Sequence, residues 1–124
     1  MNKEIAKQWC DALRSGKYKQ CQWCLCRQRF FQKQYCCLGV LCELHSKATG
    51  QAKMESHKGK IVYDWHEHNL PKSVVDWAGM KSSLGDIPKT EGQYCPFSLA
   101  DANDRHGYSF EKIAEIIEKN VDQL

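Results

Sequence analysis

The pattern of apolar and polar residues predicts a helix at each end of the chain. Near the start, Ile5, Trp9 and Leu13 recur every four residues, which is typical of an amphipathic helix over residues 2–14, and Asn2 can cap its start. Near the end, the segment FEKIAEIIEKNV has the same kind of spacing and follows Ser109, a favourable N-cap residue. We expect both apolar stripes to contribute to one core.

A further helix is predicted over the segment CCLGVLCELHSKATG, residues 36–50. Its expected buried face consists of Cys37, Val40, Leu41 and Leu44. Gly50 ends it, because glycine favours helix C-termini. Gly39 lies inside this helix, where glycine costs roughly 1 kcal/mol relative to alanine. We therefore expect the helix to pack closely against a neighbour at Gly39.

Two shorter helices are predicted before the last one. In LPKSVVDWAGM, Pro71 suits a first helical position and Gly79 suits the end of the helix. In SLADANDR, Ser98 caps the start, with Asp101 three residues later in a capping-box-like position. Residues 81–96, between these two helices, are irregular and form a candidate binding loop.

Alternation of apolar and polar residues predicts strands in two places. The segment KYKQCQWCLCRQRFF alternates, with Trp23, Leu25 and Arg27 on one parity, and IVYDWHEH alternates in the same way. Together with the helices, these strands predict a single compact α+β domain over residues 1–124. We expect about five helices and one or two short β-hairpins.

Composition and cysteine content restrict the class of protein. Of the 124 residues, 42% are hydrophobic and 27% are charged, which is ordinary for one folded domain. No apolar run approaches the roughly 18 residues of a membrane span, and the N-terminus lacks a secretory signal. We therefore expect a cytoplasmic protein without a membrane partner. Thiols stay reduced in that compartment, so the eight cysteines indicate metal binding, reactivity or burial rather than disulfides.

The spacing of four residues suggests a zinc site. Cys21 and Cys24 are separated by two residues, and the pair Cys42 and His45 has the same separation further along the chain. Paired ligands of this kind are typical of structural zinc sites. Zinc is the one cofactor that the sequence suggests, and it would support a nucleic-acid-binding protein. The alternative is that the chain binds no cofactor.

Two other roles for the cysteines remain open. Cys36, Cys37 and Cys42 lie in a strongly apolar segment, where cysteine behaves as a small buried hydrophobe. Cys36 and Cys37 also begin a predicted helix just after Lys33, which is a setting that lowers a thiol pKa. An enzyme built on one of these thiols is therefore a third hypothesis.

A second group of potential metal ligands lies in IVYDWHEH. If this segment is a strand, then Asp64, His66 and His68 point to one side, where they could bind a divalent metal. Solvated polar residues on an outer strand face explain the same pattern. The sequence contains no P-loop, nucleophile elbow or HExxH motif, and it favours a role other than catalysis.

The charge distribution suggests a binding surface near the N-terminus. Residues 1–34 carry eight Lys or Arg and two acidic residues, a net charge of +6, whereas residues 35–124 carry ten basic and thirteen acidic residues, a net charge of −3. Cations contact phosphates or acidic protein surfaces, and aromatic residues stack on unpaired bases. A half-buried hairpin gives the same mixture without a partner. The candidate binding residues are Lys17, Lys19, Trp23, Arg27, Arg29 and Lys33.

Four segments carry a resemblance to a known family. At YCCLGVLCEL, WCDALRSGKYKQ, LPKSVVDWAGM and SLADANDRHGYSFEKIAEII, the chain resembles a family of small bacteriophage and prophage proteins. The resemblance spans most of the chain and implies no activity, cofactor or catalytic residue. It implies an accessory protein that acts in the bacterial host cell by binding a host or phage protein, for example as an inhibitor of a defence or regulatory protein.

The zinc hypothesis predicts a stoichiometric metal content. If Cys21, Cys24, Cys42 and His45 bind zinc, then protein purified under reducing, metal-replete conditions should contain one equivalent, because four-ligand structural sites bind tightly. Elemental analysis measures this content. Less than about half an equivalent would eliminate the site.

Overall fold

The computed structural model describes residues 1–89 and 96–124, and within them it contains five helices and two small sheets. The helices are α1 (Lys3–Arg14), α2 (Cys37–Thr49), α3 (Lys72–Ala78), α4 (Leu99–Asp104) and α5 (Phe110–Asn120). The strands are β1 (Lys19–Gln20), β2 (Cys26–Arg29), β3 (Gln32–Tyr35), β4 (Met54–His57) and β5 (Lys60–Tyr63). The predicted α+β fold is confirmed.

Side chains cap three of the helices as the sequence predicts. Asn2, Ser98 and Ser109 each accept a hydrogen bond from the backbone N–H three residues further on, at 3.0 to 3.2 Å. These bonds satisfy donors that have no partner within the helix. A different helix, α3, ends at Gly79 as predicted. Gly79 has a φ of 67°, the left-handed conformation that glycine adopts readily at helix C-termini.

Helix α2 is the centre of the core. All residues from Cys37 to Cys42 are buried, and α1, α3 and α4 pack around this helix. From α1, the indole nitrogen of Trp9 donates to the carbonyl oxygen of Cys37 at 2.9 Å. A helix that is apolar on all sides belongs in the interior. The interpretation of Cys36, Cys37 and Cys42 as buried packing side chains is confirmed, since they are at most 4% exposed.

Gly39 allows α2 to touch the backbone of a neighbouring segment. A Cβ atom at this position would lie 1.8 Å from the carbonyl oxygen of Leu25. The same oxygen accepts a hydrogen bond from the N–H of Cys36 at 3.2 Å, and the Leu25 N–H donates to the carbonyl of Glu67 at 2.7 Å. The close packing predicted at Gly39 is therefore confirmed, and its partner is backbone.

The two sheets contain one hairpin each. In the first sheet β3 is central, antiparallel to β2 and parallel to β1; in the second, β4 pairs with β5. Both hairpins close with two residues of positive φ, which is the geometry of a type I′ turn. The turn residues are Lys58 and Gly59 in the second hairpin, but Phe30 and Phe31 in the first.

The strands are shorter than the alternation predicts. Residues 22–25 form a bend instead of continuing a strand. Strand β5 ends at Tyr63, because Asp64 and Trp65 adopt φ values of 47° and 67° and turn the chain back, so that Tyr63 and His66 form an isolated bridge. The prediction of a strand that includes residues 64–68 is therefore wrong.

The flanks of the candidate binding loop lie close together. Ile87 N–H donates to the carbonyl of Phe97 at 2.9 Å, and Leu99 N–H donates to that of Gly85 at 2.8 Å. Residues 90–95 of this predicted loop lie outside the described residues. In the part of the chain that the structure describes, none of the helices has the length and apolar character needed to cross a bilayer.

Substitution of Gly39 by alanine should strongly destabilise the fold. Alanine would favour a free helix by about 1 kcal/mol, but its methyl group would overlap the Leu25 carbonyl and push α2 away from its neighbour. We expect the free energy of unfolding, measured by urea denaturation, to fall by about 3 kcal/mol.

Gly50→Ala is the matched control for this substitution. Gly50 has a φ of 65° and open space around its Cα, so its substitution should cost only the strain of the left-handed conformation, about 1 kcal/mol. Equal losses for the two variants would contradict the role of the Leu25 contact.

Candidate functional site

The tip of the first hairpin exposes two phenylalanines. Phe30 and Phe31 have φ values of 50° and 64°, and their exposed fractions are 84% and 102%. Bulky side chains are uncommon at positive φ, and type I′ turns favour Asn-Gly. The equivalent turn of the second hairpin has glycine as its second residue. The tip therefore combines an unfavourable turn sequence with two unburied aromatic rings.

Three of the predicted binding residues share one face of the first sheet. In the strand register, Lys19 and Arg27 both lie opposite Gln34, and Arg29 follows Arg27 by two residues, so all three point to the same side. Arg27 Nε donates to Gln34 Oε1 at 2.7 Å, which fixes its direction. The Arg29 guanidinium carbon lies 5.3 Å from the centre of the Phe30 ring. We call Phe30, Phe31 and Arg29 the hairpin tip.

The other three predicted residues lie elsewhere. Lys33 pairs with Gln28 and points to the opposite face from Arg27. Lys17 is exposed and precedes β1. Trp23 is 63% exposed in the bend before β2. The structure therefore brings together Lys19, Arg27 and Arg29 but not the complete predicted set.

Distant side chains hold the bend that contains Trp23. This residue has a φ of 71°, and its N–H donates to a carboxylate oxygen of Asp104 at 2.9 Å. Its carbonyl accepts a hydrogen bond from His68 Nδ1 at 2.7 Å. A non-glycine residue at positive φ is held by its surroundings rather than by its own preference. The exposed indole is therefore attached to a fixed backbone.

The buried amide of Asn103 holds the start of the same bend. Asn103 is fully buried, and its Nδ2 donates to the carbonyl of Cys21 at 2.9 Å. Its Oδ1 accepts hydrogen bonds from Gln20 Nε2 at 2.8 Å and from the N–H of Cys37 at 3.2 Å. One amide thus joins β1, the bend and the start of α2. Because its donors and acceptor are satisfied, its burial is tolerated.

Cys21 and Cys24 form a thiol pair across the bend. Cys21 is fully buried, with its sulfur 3.8 Å from the carbonyl oxygen of Cys24, and Cys24 is partly exposed. A hydrogen bond from Cys21 and the nearby Arg27 cation hold the pKa of Cys24 below its usual value. The same hydrogen bond and burial raise the pKa of Cys21. Cys24 is therefore the more nucleophilic of the two.

Cys24 opens into a groove between the two hairpins. The groove has a volume of about 330 Å³ and is lined by Arg27 and Gln28 of β2, by Lys60 of β5 and by Glu67. The Lys60 ammonium lies 3.5 Å from the Glu67 carboxylate. A small polar molecule could enter this groove and reach a thiol that is not enclosed by the core.

The structure does not gather the four predicted zinc ligands. Cys42 is fully buried in α2, and burial raises its pKa well above the usual value. His45 Nδ1 shares a hydrogen bond with the Tyr63 hydroxyl at 2.7 Å, and its ring packs against Trp77. Among the described residues, no group of three or more His, Cys, Asp or Glu side chains is arranged to hold a metal. This includes the predicted set of Cys21, Cys24, Cys42 and His45. Zinc binding stays a prediction for metal analysis.

The structure does not support Cys36 or Cys37 as a reactive thiol at the start of α2, because both side chains are buried. Cys36 is the N-cap, and its sulfur accepts a hydrogen bond from the Gly39 N–H at 3.4 Å. The Cys37 thiol donates to the carbonyl of Leu99 at 3.5 Å. Burial raises the pKa of both thiols. They are therefore packing groups, and among the cysteines that the structure describes the accessible thiol is Cys24.

The predicted metal-binding face of Asp64, His66 and His68 is also absent. All three residues follow the end of β5, so no strand aligns their side chains. His66 Nδ1 donates to the carbonyl of Asp64 at 2.8 Å, and His68 Nδ1 is bonded to Trp23. Both histidines are thus hydrogen-bonded to backbone carbonyls of the turns, and the three side chains do not converge on one point where a metal could bind.

Sequence reasoning underestimated two features of this region. Phe30 and Phe31 belong to the aromatic residues of the basic segment, but the alternation placed them in a strand rather than at a turn. Asn103 follows Leu99 at four-residue spacing, as a residue on the inner face of a helix does, and this spacing could have identified it as a buried polar group.

The chain matches a known protein family. The family model described as Domain of unknown function (DUF8296) matches residues 1–121, which include all the described helices and strands, the hairpin tip and the thiol pair. No curated protein and no solved structure matches the chain.

Acid should weaken the fold through His45. Burial lowers the pKa of His45 in the folded state, although Asp64 opposes the shift. Below the ordinary histidine value of about 6.5, the unfolded chain therefore binds a proton that the folded chain resists, and stability is lost as the pH falls toward the folded value. We expect the stability advantage of the unmodified protein over His45→Gln to shrink between about pH 8 and about pH 5.

Urea denaturation at each pH measures this difference. The other four histidines are common to both proteins, so their contributions cancel to a first approximation. A stability difference that is independent of pH would show that His45 does not titrate in this way.

Proposed function

We propose that this chain, which belongs to the DUF8296 family, is a non-enzymatic protein that binds another protein through the hairpin tip. The observation that carries the proposal is the exposure of Phe30 and Phe31 at a turn whose conformation disfavours both. Residues that oppose local preference without a gain in packing are expected at functional sites.

The energetics of association favour such a tip. Burial of each phenylalanine in a partner would contribute roughly 1.5–3 kcal/mol, none of which the isolated fold obtains. Aromatic and arginine residues dominate the energetically important positions of protein interfaces. A two-residue turn between paired strands also restricts its side chains before binding, which reduces the entropy lost on association.

The surrounding charges define the chemistry of the partner. Lys19, Arg27 and Arg29 share one face of the sheet whose turn carries the exposed rings, and residues 1–34 carry a net charge of +6. We therefore propose a partner with an apolar pocket bordered by carboxylates. Charge complementarity of this kind accelerates association and excludes other partners.

The resemblance to small phage and prophage proteins supports a partner in the bacterial cytoplasm. We propose a host or phage protein, and inhibition of a defence or regulatory protein is the consequence that such docking would have. A nucleic-acid partner is the competing hypothesis, since Trp23 is exposed and indoles stack on unpaired bases.

Replacement of the tip by Asn-Gly should separate folding from binding. In Phe30→Asn/Phe31→Gly the turn acquires its preferred residues, so the melting temperature should stay the same or rise. Partner binding should weaken at least about tenfold, because both aromatic anchors are lost. Affinity capture from bacterial lysate with the unmodified protein identifies the partner. Calorimetry with the purified partner then measures its affinity for the unmodified protein and for the Asn-Gly variant.

Trp65→Asn is a matched control. Trp65 is also an exposed aromatic residue at positive φ, 75% exposed, but it lies after β5 rather than at the tip. Its substitution should leave the affinity within about twofold. Unchanged binding by the Asn-Gly variant would contradict the proposal. Tight, strongly salt-dependent binding of single-stranded DNA, with no protein captured, would instead support the nucleic-acid hypothesis.

A further inference from the structure

Cys24 differs from the other thiols that the structure describes. Of these seven cysteines, six are buried and Cys24 alone is partly exposed. It lies in the groove between the hairpins, and the Cys21 thiol that interacts with it is shielded from solvent. An accessible thiol beside an enclosed one is the arrangement in which an adduct can form on the first and be displaced by the second.

We infer that Cys24 is a site of reversible modification by low-molecular-weight disulfides, with Cys21 as the resolving thiol. The proposal goes beyond the binding function and does not depend on it, because neither cysteine belongs to the hairpin tip.

The backbone of the bend keeps the two thiols together. Cys21 is held through its carbonyl by Asn103, and Trp23 is held between the cysteines by Asp104 and His68. The sulfur of Cys21 already lies 3.8 Å from the carbonyl oxygen of Cys24. A disulfide requires close Cβ atoms, and we expect the fixed bend to allow this approach without refolding.

The charges around Cys24 favour its thiolate form. The Arg27 guanidinium is a cation that acts on it, and Glu67 opposes this effect. Glu67 is itself 3.5 Å from the Lys60 ammonium, which reduces its effect. Arg27 and Lys60 also line the groove and would attract the carboxylates of an anionic disulfide such as oxidised glutathione.

The exchange proceeds in two balanced steps. The Cys24 thiolate attacks one sulfur of the small disulfide, forms a mixed disulfide and releases one small thiolate, which takes a proton from water. Cys21 then loses its proton, attacks the Cys24 sulfur and releases the second small thiolate, which takes a proton in turn. The protein loses two electrons as the Cys21–Cys24 disulfide forms, and the small disulfide is reduced to two thiols. Excess small thiol reverses both steps.

Mass spectrometry after treatment with oxidised glutathione tests the inference. The protein should carry Cys95→Ser, so that the thiol outside the described residues does not react, and should first be treated with a chelator. We expect the loss of two hydrogens per chain and a Cys21–Cys24 disulfide in the peptide map. In Cys21→Ser the reaction should stop as a glutathione adduct on Cys24, and in Cys24→Ser no adduct should form.

Folding controls make each outcome decisive. Cys26→Ala removes a neighbouring buried thiol and should leave the reaction unchanged. Circular dichroism verifies that the variants are folded, and Cys21→Ala replaces Cys21→Ser if the latter is not. Modification of another cysteine, or no reaction of the folded unmodified protein within hours, would overturn the inference. Loss of partner binding in the Asn-Gly tip variant bears only on the proposed function.

Discussion

The contact between the Leu25 carbonyl and Gly39 determines how the rest of the molecule is arranged. Because no Cβ intervenes, α2 approaches the chain before β2 closely enough for Leu25 to accept a hydrogen bond from Cys36. Leu25 donates in the opposite direction to Glu67, so the same residue links the central helix to the segment after β5. The thiol pair precedes Leu25 in the chain and the hairpin tip follows it. The hydrogen bonds of Leu25 therefore help to fix where both lie in the fold.

The sequence identified the features that depend on local interactions. The caps at Asn2, Ser98 and Ser109 need only a side chain and an N–H three residues away, and the buried stripes need only a period of 3.6 residues. The partners in contacts between distant segments were not identified: close packing was predicted at Gly39, but not its contact with Leu25. The bend around Trp23 is imposed by Asp104 and His68, which are distant in the sequence, and alternation alone could not distinguish it from a strand.

The six cysteines of residues 21–42 show why composition does not determine chemistry. Cys36, Cys37 and Cys42 are packing groups because α2 lies in the core, where an ionised thiolate is unfavourable. Cys24 lies twelve residues before Cys36 in the chain but lines a groove that also contains cations. The sequence alone does not distinguish these thiols. Their different burial in the fold determines which of them can react.

The unequal turns of the two hairpins have a consequence for the order of folding. Lys58-Gly59 suits its turn, so β4 and β5 can pair through local interactions early in the process. Phe30-Phe31 opposes its turn, and β2 and β3 therefore pair only when contacts with α2 and the preceding bend hold them. We therefore expect the protruding aromatic pair to be assembled late, so that partly folded chains lack the surface proposed to recognise a partner.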